Sequence, residues 1–183
     1  AGSGFGQPRF SREAIAEFQI VTNLFDITQG RSLGTQVQAV SRAGTNTPAG
    51  SFYGNFRHDG LNAADPLSGT VLPYENRQIG GTFGGPIVRD RMHYFVSYED
   101  EREPGSIFRT LSALPGQSFE TSYEIGQSSF LGRVDSQLTN NDRLSIRASR
   151  WDWSNPQVGG NHPSTASAQT KDATSILATW THV

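Results

Sequence analysis

Apolar and polar residues alternate with a period of two in short runs along this chain. In 51–57, Phe52 and Phe56 fall on one face, while Ser51, Tyr53, Asn55 and Arg57 fall on the other. In 130–138, Phe130, Val134 and Leu138 share a face with Gly132 and Ser136, opposite Leu131, Arg133, Asp135 and Gln137. In 143–149, Leu144, Ile146 and Ala148 oppose Arg143, Ser145, Arg147 and Ser149. A strand sends successive side chains to opposite faces, so this pattern predicts half-buried β-strands. Candidate strands fall near 49–58, 76–87, 92–101, 128–138, 143–153 and 174–183. Upstream, 35–41 alternates as Thr35-Gln36-Val37-Gln38-Ala39-Val40-Ser41 and stops at the breaker run Gly44-Thr45-Asn46-Thr47-Pro48. Residues 13–22 hold Ile15, Phe18, Ile20 and Val21, a stretch whose period does not choose between helix and strand. No long stretch follows a period of 3.6, and no repeat is visible.

The connections between these strands alternate in length. Val88-Arg89-Asp90-Arg91 and Thr139-Asn140-Asn141-Asp142 are tight, and Asn and Asp suit them because they tolerate left-handed backbone and bond their own main chain. The connections at 59–75, 102–127 and 154–173 are long and rich in Gly, Pro, Ser and Asn. Long structureless loops are uncommon in compact soluble sheets. Outer-membrane barrels have them by construction, with short periplasmic turns and longer extracellular loops. Alternation alone would also fit a soluble sheet with one wet face. Aromatics crowd the strand ends as Phe52 and Tyr53, Tyr94 and Phe95, and Trp151 and Trp153, which an interfacial girdle would explain.

Composition narrows the field. Charged residues make up 17% of the chain, below the roughly 25% of an ordinary soluble domain. A net charge of −2 gives no electrostatic draw toward nucleic acid, and no nucleic-acid partner is expected. Cysteine is absent, which excludes disulfides, thiolate metal sites and cysteine nucleophiles. No apolar run approaches the ~18 residues of a transmembrane helix, but a barrel dilutes its apolar signal with lumen-facing residues. The chain opens without an initiating Met and closes in the middle of a strand-like run, so it reads as an internal piece of a longer protein.

Motifs with chemical associations have plainer readings here. Gly80-Gly81-Thr82-Phe83-Gly84-Gly85-Pro86 lacks the Lys-Ser/Thr of a phosphate loop, and Pro86 spoils a helix start, so small residues in a crowded strand are expected. His58, His93, His162 and His182 show no ligand spacing, so no metal and no cofactor are expected. Glu99 and Glu101, followed by Arg102 and Glu103, read as a solvated strand end rather than an acid–base pair. The serines have no nucleophile elbow and no partnered His and Asp, so the chain is not expected to be an enzyme.

Several runs carry a family resemblance. Gly30-Arg31-Ser32-Leu33-Gly34, then Val37 and Val40, then Gly44-Thr45-Asn46 resembles the last plug strand of TonB-dependent receptors, closest to the Oar-like group. Ser11 to Thr22 is similar to an earlier plug strand of that group, and Gly50-Ser51-Phe52-Tyr53-Gly54-Asn55-Phe56-Arg57 to its first barrel strand. Arg77 to Ile87, then Asp90-Arg91, then Tyr94-Phe95-Val96-Ser97-Tyr98-Glu99 resembles its second and third strands and is the most specific signal. Gln29 stands where tyrosine is usual, and Thr35-Gln36 where paired glycines are.

The resemblance implies an all-β, antiparallel transmembrane β-barrel fragment. It is an open curved sheet of about six strands, cut from a plugged barrel of about 22. Residues 1–47 would be the C-terminal part of the plug, and 48–183 the first barrel strands. The protein would sit in the bacterial outer membrane, with membrane lipid as one partner and the TonB complex as another, the latter reached through a segment upstream of this chain. It would import an unidentified solute, and Asn55, Arg57, Arg133, Asp135, Arg143 and Arg147 are the lumen-facing candidates to touch that solute or the plug. The alternative is a secreted β-sandwich that binds glycan or protein.

Overall fold

The computed structural model describes residues 10–22, 35–61, 75–110, 118–158 and 167–183, together with 63, 71 and 165. Among these, a single turn of 3-10 helix at Arg12–Ala14 leads into β1 (Ile15–Thr22), which pairs antiparallel with β2 (Thr35–Ser41) in a small sheet. The ambiguous apolar stretch at 13–22 is therefore mostly strand. A second sheet holds β3 (Ala49–Arg57), β4 (Asn76–Val88), β5 (Met92–Thr110), β6 (Ser118–Gln137), β7 (Asp142–Val158) and β8 (Ser167–His182). Its spatial order is the sequence order, and each strand is antiparallel to the next.

That meander places both tight turns at one end. Arg91 N–H donates to the Val88 carbonyl (3.1 Å), and Gln137 N–H donates to the Arg91 carbonyl (2.7 Å), which ties the two turns together. Val183 N–H reaches the Asn141 carbonyl (3.0 Å), so β8 ends at the same level. Asp90 takes a left-handed φ of 63°. It is held there by Asn46, whose carboxamide donates to the Asp90 carboxylate (2.6 Å) and accepts from its N–H (2.8 Å). An Asp at such a φ is tolerated because its short side chain can be bonded locally. At the second turn, Asp142 accepts from the Thr139 hydroxyl (2.5 Å), bonds His182 (2.8 Å) and accepts from the Trp180 indole (3.2 Å). The Thr139 bond first, and the His182 bond next, hold this carboxyl below the ordinary carboxylate range.

Two sequence expectations need correcting. The stretch 102–127 is not a loop throughout: β5 and β6 stay paired from Arg102↔Gly126 to Thr110↔Ser118. Glu103-Pro104-Gly105-Ser106 has loop composition, yet β4 stops pairing with β5 at Arg102, so Pro104 lies where β5 has become an edge. A proline is compatible with an edge because its missing N–H costs no ladder bond there. Likewise, the expected 154–173 loop is partly strand, and Pro156 falls inside the register shift between Asn155 and Val158. The connection expected at 59–75 lies mostly outside the described residues, apart from a 3-10 turn at Asp59–Leu61.

The buried apolar cluster is small: Ala14, Phe95 and Leu131. Ala14 belongs to the N-terminal 3-10 turn, and the other two lie on the polar face of the large sheet. The small sheet's segment therefore packs on the polar face. A β-sandwich would cover the apolar face instead, so the alternative reading does not describe this arrangement.

Candidate functional site

Clean registers let whole rows of side chains be read across the large sheet. One row on the polar face runs Tyr53, Gly80, Glu99, Ser129, Trp151. The next runs Asn55, Gln78, Glu101, Gln127, Trp153, Lys171. Gly80 explains part of the glycine-rich run. A Cβ there would collide with the Tyr53 ring, which crosses Gly80 so that its hydroxyl donates to Glu99 on the following strand (2.5 Å). Gly84 and Gly44 serve a second close approach, since a Cβ on Gly44 would run into the Tyr94 backbone and Gly84 lies beside Gly44.

The N-terminal segment is fastened to this face at several points. Ser11, only 3% exposed, bonds the Tyr53 hydroxyl (2.7 Å). Arg133 holds Asp135 in a two-pronged bond (2.8 and 2.9 Å) and uses its remaining nitrogen on the carbonyl (2.8 Å) and hydroxyl (3.2 Å) of Ser41. A planar guanidinium suits this double duty. Asn46 also bonds His93 (2.7 Å), which fixes the crossing into β3 at the tight-turn end.

The sequence candidates fall as follows. Asn55, Arg57, Arg133, Asp135, Arg143 and Arg147 all share the polar face by register. Asn55 bonds Gln78 (2.9 Å) at the far end of the sheet from the tight turns. Arg133, Asp135 and Arg147 cluster nearer those turns, with Arg133 directly opposite Arg147, and Arg143 bonds Gln137 (3.3 Å) beside the turn itself. The six therefore do not converge on one site. A cavity of about 460 Å³ gathers a different set: Tyr53, Asn55, Gln78, Glu99, Glu101 and Gln127, closed by the Phe10–Glu13 segment. Side-chain parity in β5 and β6 places Glu101 and Gln127 beside Asn55, and that was the available signal for them.

Trp151 and Trp153 also lie on the polar face, not in an outward girdle. Neighbours alternate, so of each pair Phe52/Tyr53 and Tyr94/Phe95 only Phe52 and Tyr94 point outward, and Trp151 and Trp153 share the parity of Arg147 and Ser149. At the other rim, His58 bonds Asp59 through one ring nitrogen (2.8 Å) and Glu75 through the other (3.1 Å). The ligand atoms of these three side chains lie within 4.8 Å of one another, a spacing at which they could hold a metal ion.

The opposite face is apolar and bare. Phe52 is 82% exposed, Phe56 69% and Ile176 74%, with Phe83, Val96, Tyr98, Phe130 and Ile146 also open. The far edge of this apolar band steps down across the sheet. Counted from the row Gly50, Phe83, Val96, Gly132, Ala148, Ile176, its last apolar residue is three rows up in β3 (Phe56) and two in β4 (Ile79). It is one row up in β5 and β6 (Tyr98, Phe130) and in the reference row itself in β7 and β8 (Ala148, Ile176). A drop of about six residues at ~3.4 Å each, over five strand spacings of ~4.8 Å, corresponds to strands inclined at roughly 40° to the normal of the band. Barrel strands cross a membrane at about that tilt. Charged pairs begin just past the band, as with Asp100–Arg102 (3.0 Å) and Arg150–Asp152 (2.7 Å).

Comparison with known proteins agrees. Residues 40–121 match a family described as an outer membrane beta barrel domain. The TonB-dependent transporter Oar of Myxococcus xanthus is 29% identical over 119 residues, which cover 61% of this chain and 11% of that protein. This chain thus spans about a tenth of the length of that relative. No solved structure matches. Fold, faces and family match define a stretch of outer-membrane β-barrel, and the protein is located in the bacterial outer membrane. Its resemblance to the Oar-like group of TonB-dependent receptors holds at the level of the family.

Proposed function

We propose that residues 1–47 are the end of a plug and residues 48–183 the first strands of a TonB-dependent transporter that imports a solute through its lumen. The relative named a TonB-dependent transporter supports the class. One observation carries the plug assignment: the small sheet's segment is bonded to the polar, lumen-side wall through Ser11–Tyr53 and Ser41–Arg133. These are a few polar bonds on a wall with little buried apolar area, and such a contact parts at modest cost when pulled. The TonB-contacting segment lies upstream of Ala1 in this reading. Its luminal face handles the solute without covalent chemistry.

A tether tests the reading. In the full-length parent, Ser41→Cys with Arg133→Cys, joined by a bis-methanethiosulfonate cross-linker whose spacer replaces the reach of the arginine side chain, should lock plug to wall through reducible mixed disulfides. Solute depletion from the medium is followed by mass spectrometry, with and without a protonophore. The expected result is at least one solute depleted only by energised cells carrying the protein, with that depletion stopped by the tether and restored by reductant. Equal depletion by the deletion strain, or by the tethered protein before reduction, would overturn the reading.

A further inference from the structure

On the outward face, we infer a lipid-headgroup site: a pocket just past the apolar band that receives a phosphate of an outer-leaflet glycolipid together with its divalent counter-ion. The pocket holds about 280 Å³ and lies across β5 to β8. Register assigns it to the outward side. Arg102, Gly126, Ser154 and Thr170 form one row, and Ser128, Asp152 and Asp172 lie in the row below, in parity with the outward Tyr98, Phe130 and Ile176. Gln127, Trp153 and Lys171, which complete the lining on these strands, are the intervening residues. The pocket stands at the end away from the tight turns, which in a barrel is the outer-leaflet side. It begins one row past Phe130 in β6 and ends about three rows past Ala148 in β7. Outward rows are ~6.8 Å apart along a strand, or ~5 Å along the normal at the tilt found above. A phospholipid headgroup layer is only ~5–7 Å thick on each side. It would reach the pocket's lower edge, whereas a head that fills the pocket up to Ser154 and Thr170 must be taller, as a glycolipid's is.

The charged groups fit the same head. Asp100 holds Arg102 through Nε and Nη2 (3.2 and 3.0 Å), and Asp152 holds Arg150 in the same way (2.9 and 2.7 Å). Each guanidinium is thereby fixed in place and keeps Nη1 for an outside acceptor, with Glu124 no closer than 3.9 Å to that of Arg102. Gly126 makes room for this: a Cβ there would stand 2.7 Å from Arg102 Nη1 and 3.0 Å from Ser154 Oγ, so the guanidinium lies across the glycine toward β7. Two fixed guanidinium arms suit a phosphate. A bare anion fits poorly, because Asp152 and Asp172 face one another across β7 and β8, and like charges directly opposite are already unfavourable. A phosphate that brings a divalent cation serves both pairs, its oxygens on the two Nη1 groups and its cation beside the carboxylates. A bare cation would leave both guanidinium arms unused.

The test uses the full-length parent, stripped of lipid in detergent and titrated with rough-type lipopolysaccharide, with the same glycolipid after phosphatase treatment, and with phosphatidylethanolamine. Retained lipid is measured by native mass spectrometry in Ca²⁺ and again in chelator. The phosphorylated glycolipid should be retained in Ca²⁺, and phosphatase or chelator should each weaken it roughly tenfold or more. Arg102→Gln combined with Arg150→Gln should weaken it as much, as should Gly126→Leu, which fills the pocket floor. Arg77→Gln, an exposed outward arginine in the Arg102 row but outside the pocket, should leave retention unchanged. Heat-modified gel mobility verifies that each variant remains a folded barrel, and Gly126→Leu keeps the test open if the double variant does not fold. Equal retention of phosphatidylethanolamine, retention that survives phosphatase or chelator, full affinity in the folded pocket variants, or an equal loss in Arg77→Gln would overturn the inference. Solute depletion plays no part in this test, so its outcome and that of the transport reading are separate.

Discussion

Val134→Arg in the intact protein should cost roughly 2–4 kcal/mol of folding free energy in a bilayer, the range for a cation on the lipid face near mid-membrane. Val134 lies in the outward row with Tyr94, Ile146 and Ala178. Apolar rows continue on both sides of it, through Phe130 toward one rim and Leu144 and Trp180 toward the other, so an arginine there cannot snorkel to water at once. Arg133→Ala, one residue away on the opposite face, should cost far less. It leaves Asp135 without its two-pronged partner and frees Ser41, which loosens the N-terminal segment without exposing the sheet's apolar face. Urea titration of refolding into lipid vesicles separates the two. Comparable losses for both changes would indicate a soluble sheet.

The second large effect concerns residues 1–183 expressed alone, which should not yield a stable monomer. Among the described residues β3 pairs only with β4, and β8 only with β7, so each presents a sheet edge with backbone groups turned away from the ladder. In lipid each such group costs several kcal/mol, because no water is there to relieve it. In water the difficulty moves to the apolar face, where Phe52, Phe56, Phe130, Ile146 and Ile176 stand exposed as an aggregation surface. The described N-terminal residues, 10–22 and 35–47, do not cover that surface, since they pack on the other side. Sedimentation and circular dichroism of the refolded piece should show association or loss of cooperative melting. A soluble, cooperatively melting monomer without detergent would contradict the barrel account.

Strands and faces were readable because parity is local. Phe130 and Val134 declare the outward face of β6 from their own spacing, and the tight turns at 88–91 and 139–142 announce themselves by composition. What escaped the sequence was set by partners far away. Arg133 meets Ser41 across a separation of 92 residues, and Tyr53 reaches Glu99 only because Gly80 clears the way. The β5–β6 hairpin runs past its expected end because Pro104 lies where β5 has lost its other neighbour, a fact of pairing that loop-like composition concealed. Trp151 and Trp153 looked like girdle residues by position near a strand end, but register, not position, decides which way they face. Of the candidate lumen residues, Asn55 joined the cavity, while Arg133 and Asp135 are occupied in holding the N-terminal segment.

The most direct measurement reads the two faces in place. Single cysteines go into the full-length parent in outer-membrane vesicles, at outward positions Phe83, Val96 and Ile146 and at cavity positions Gln78, Glu101 and Gln127, each labelled with an environment-sensitive fluorophore. The outward set should be quenched by nitroxide-bearing lipid and ignored by a water-soluble quencher, and the cavity set should show the reverse. Equal quenching of both sets from water, or the two responses exchanged, would contradict a sheet that crosses the membrane with its polar face on the lumen.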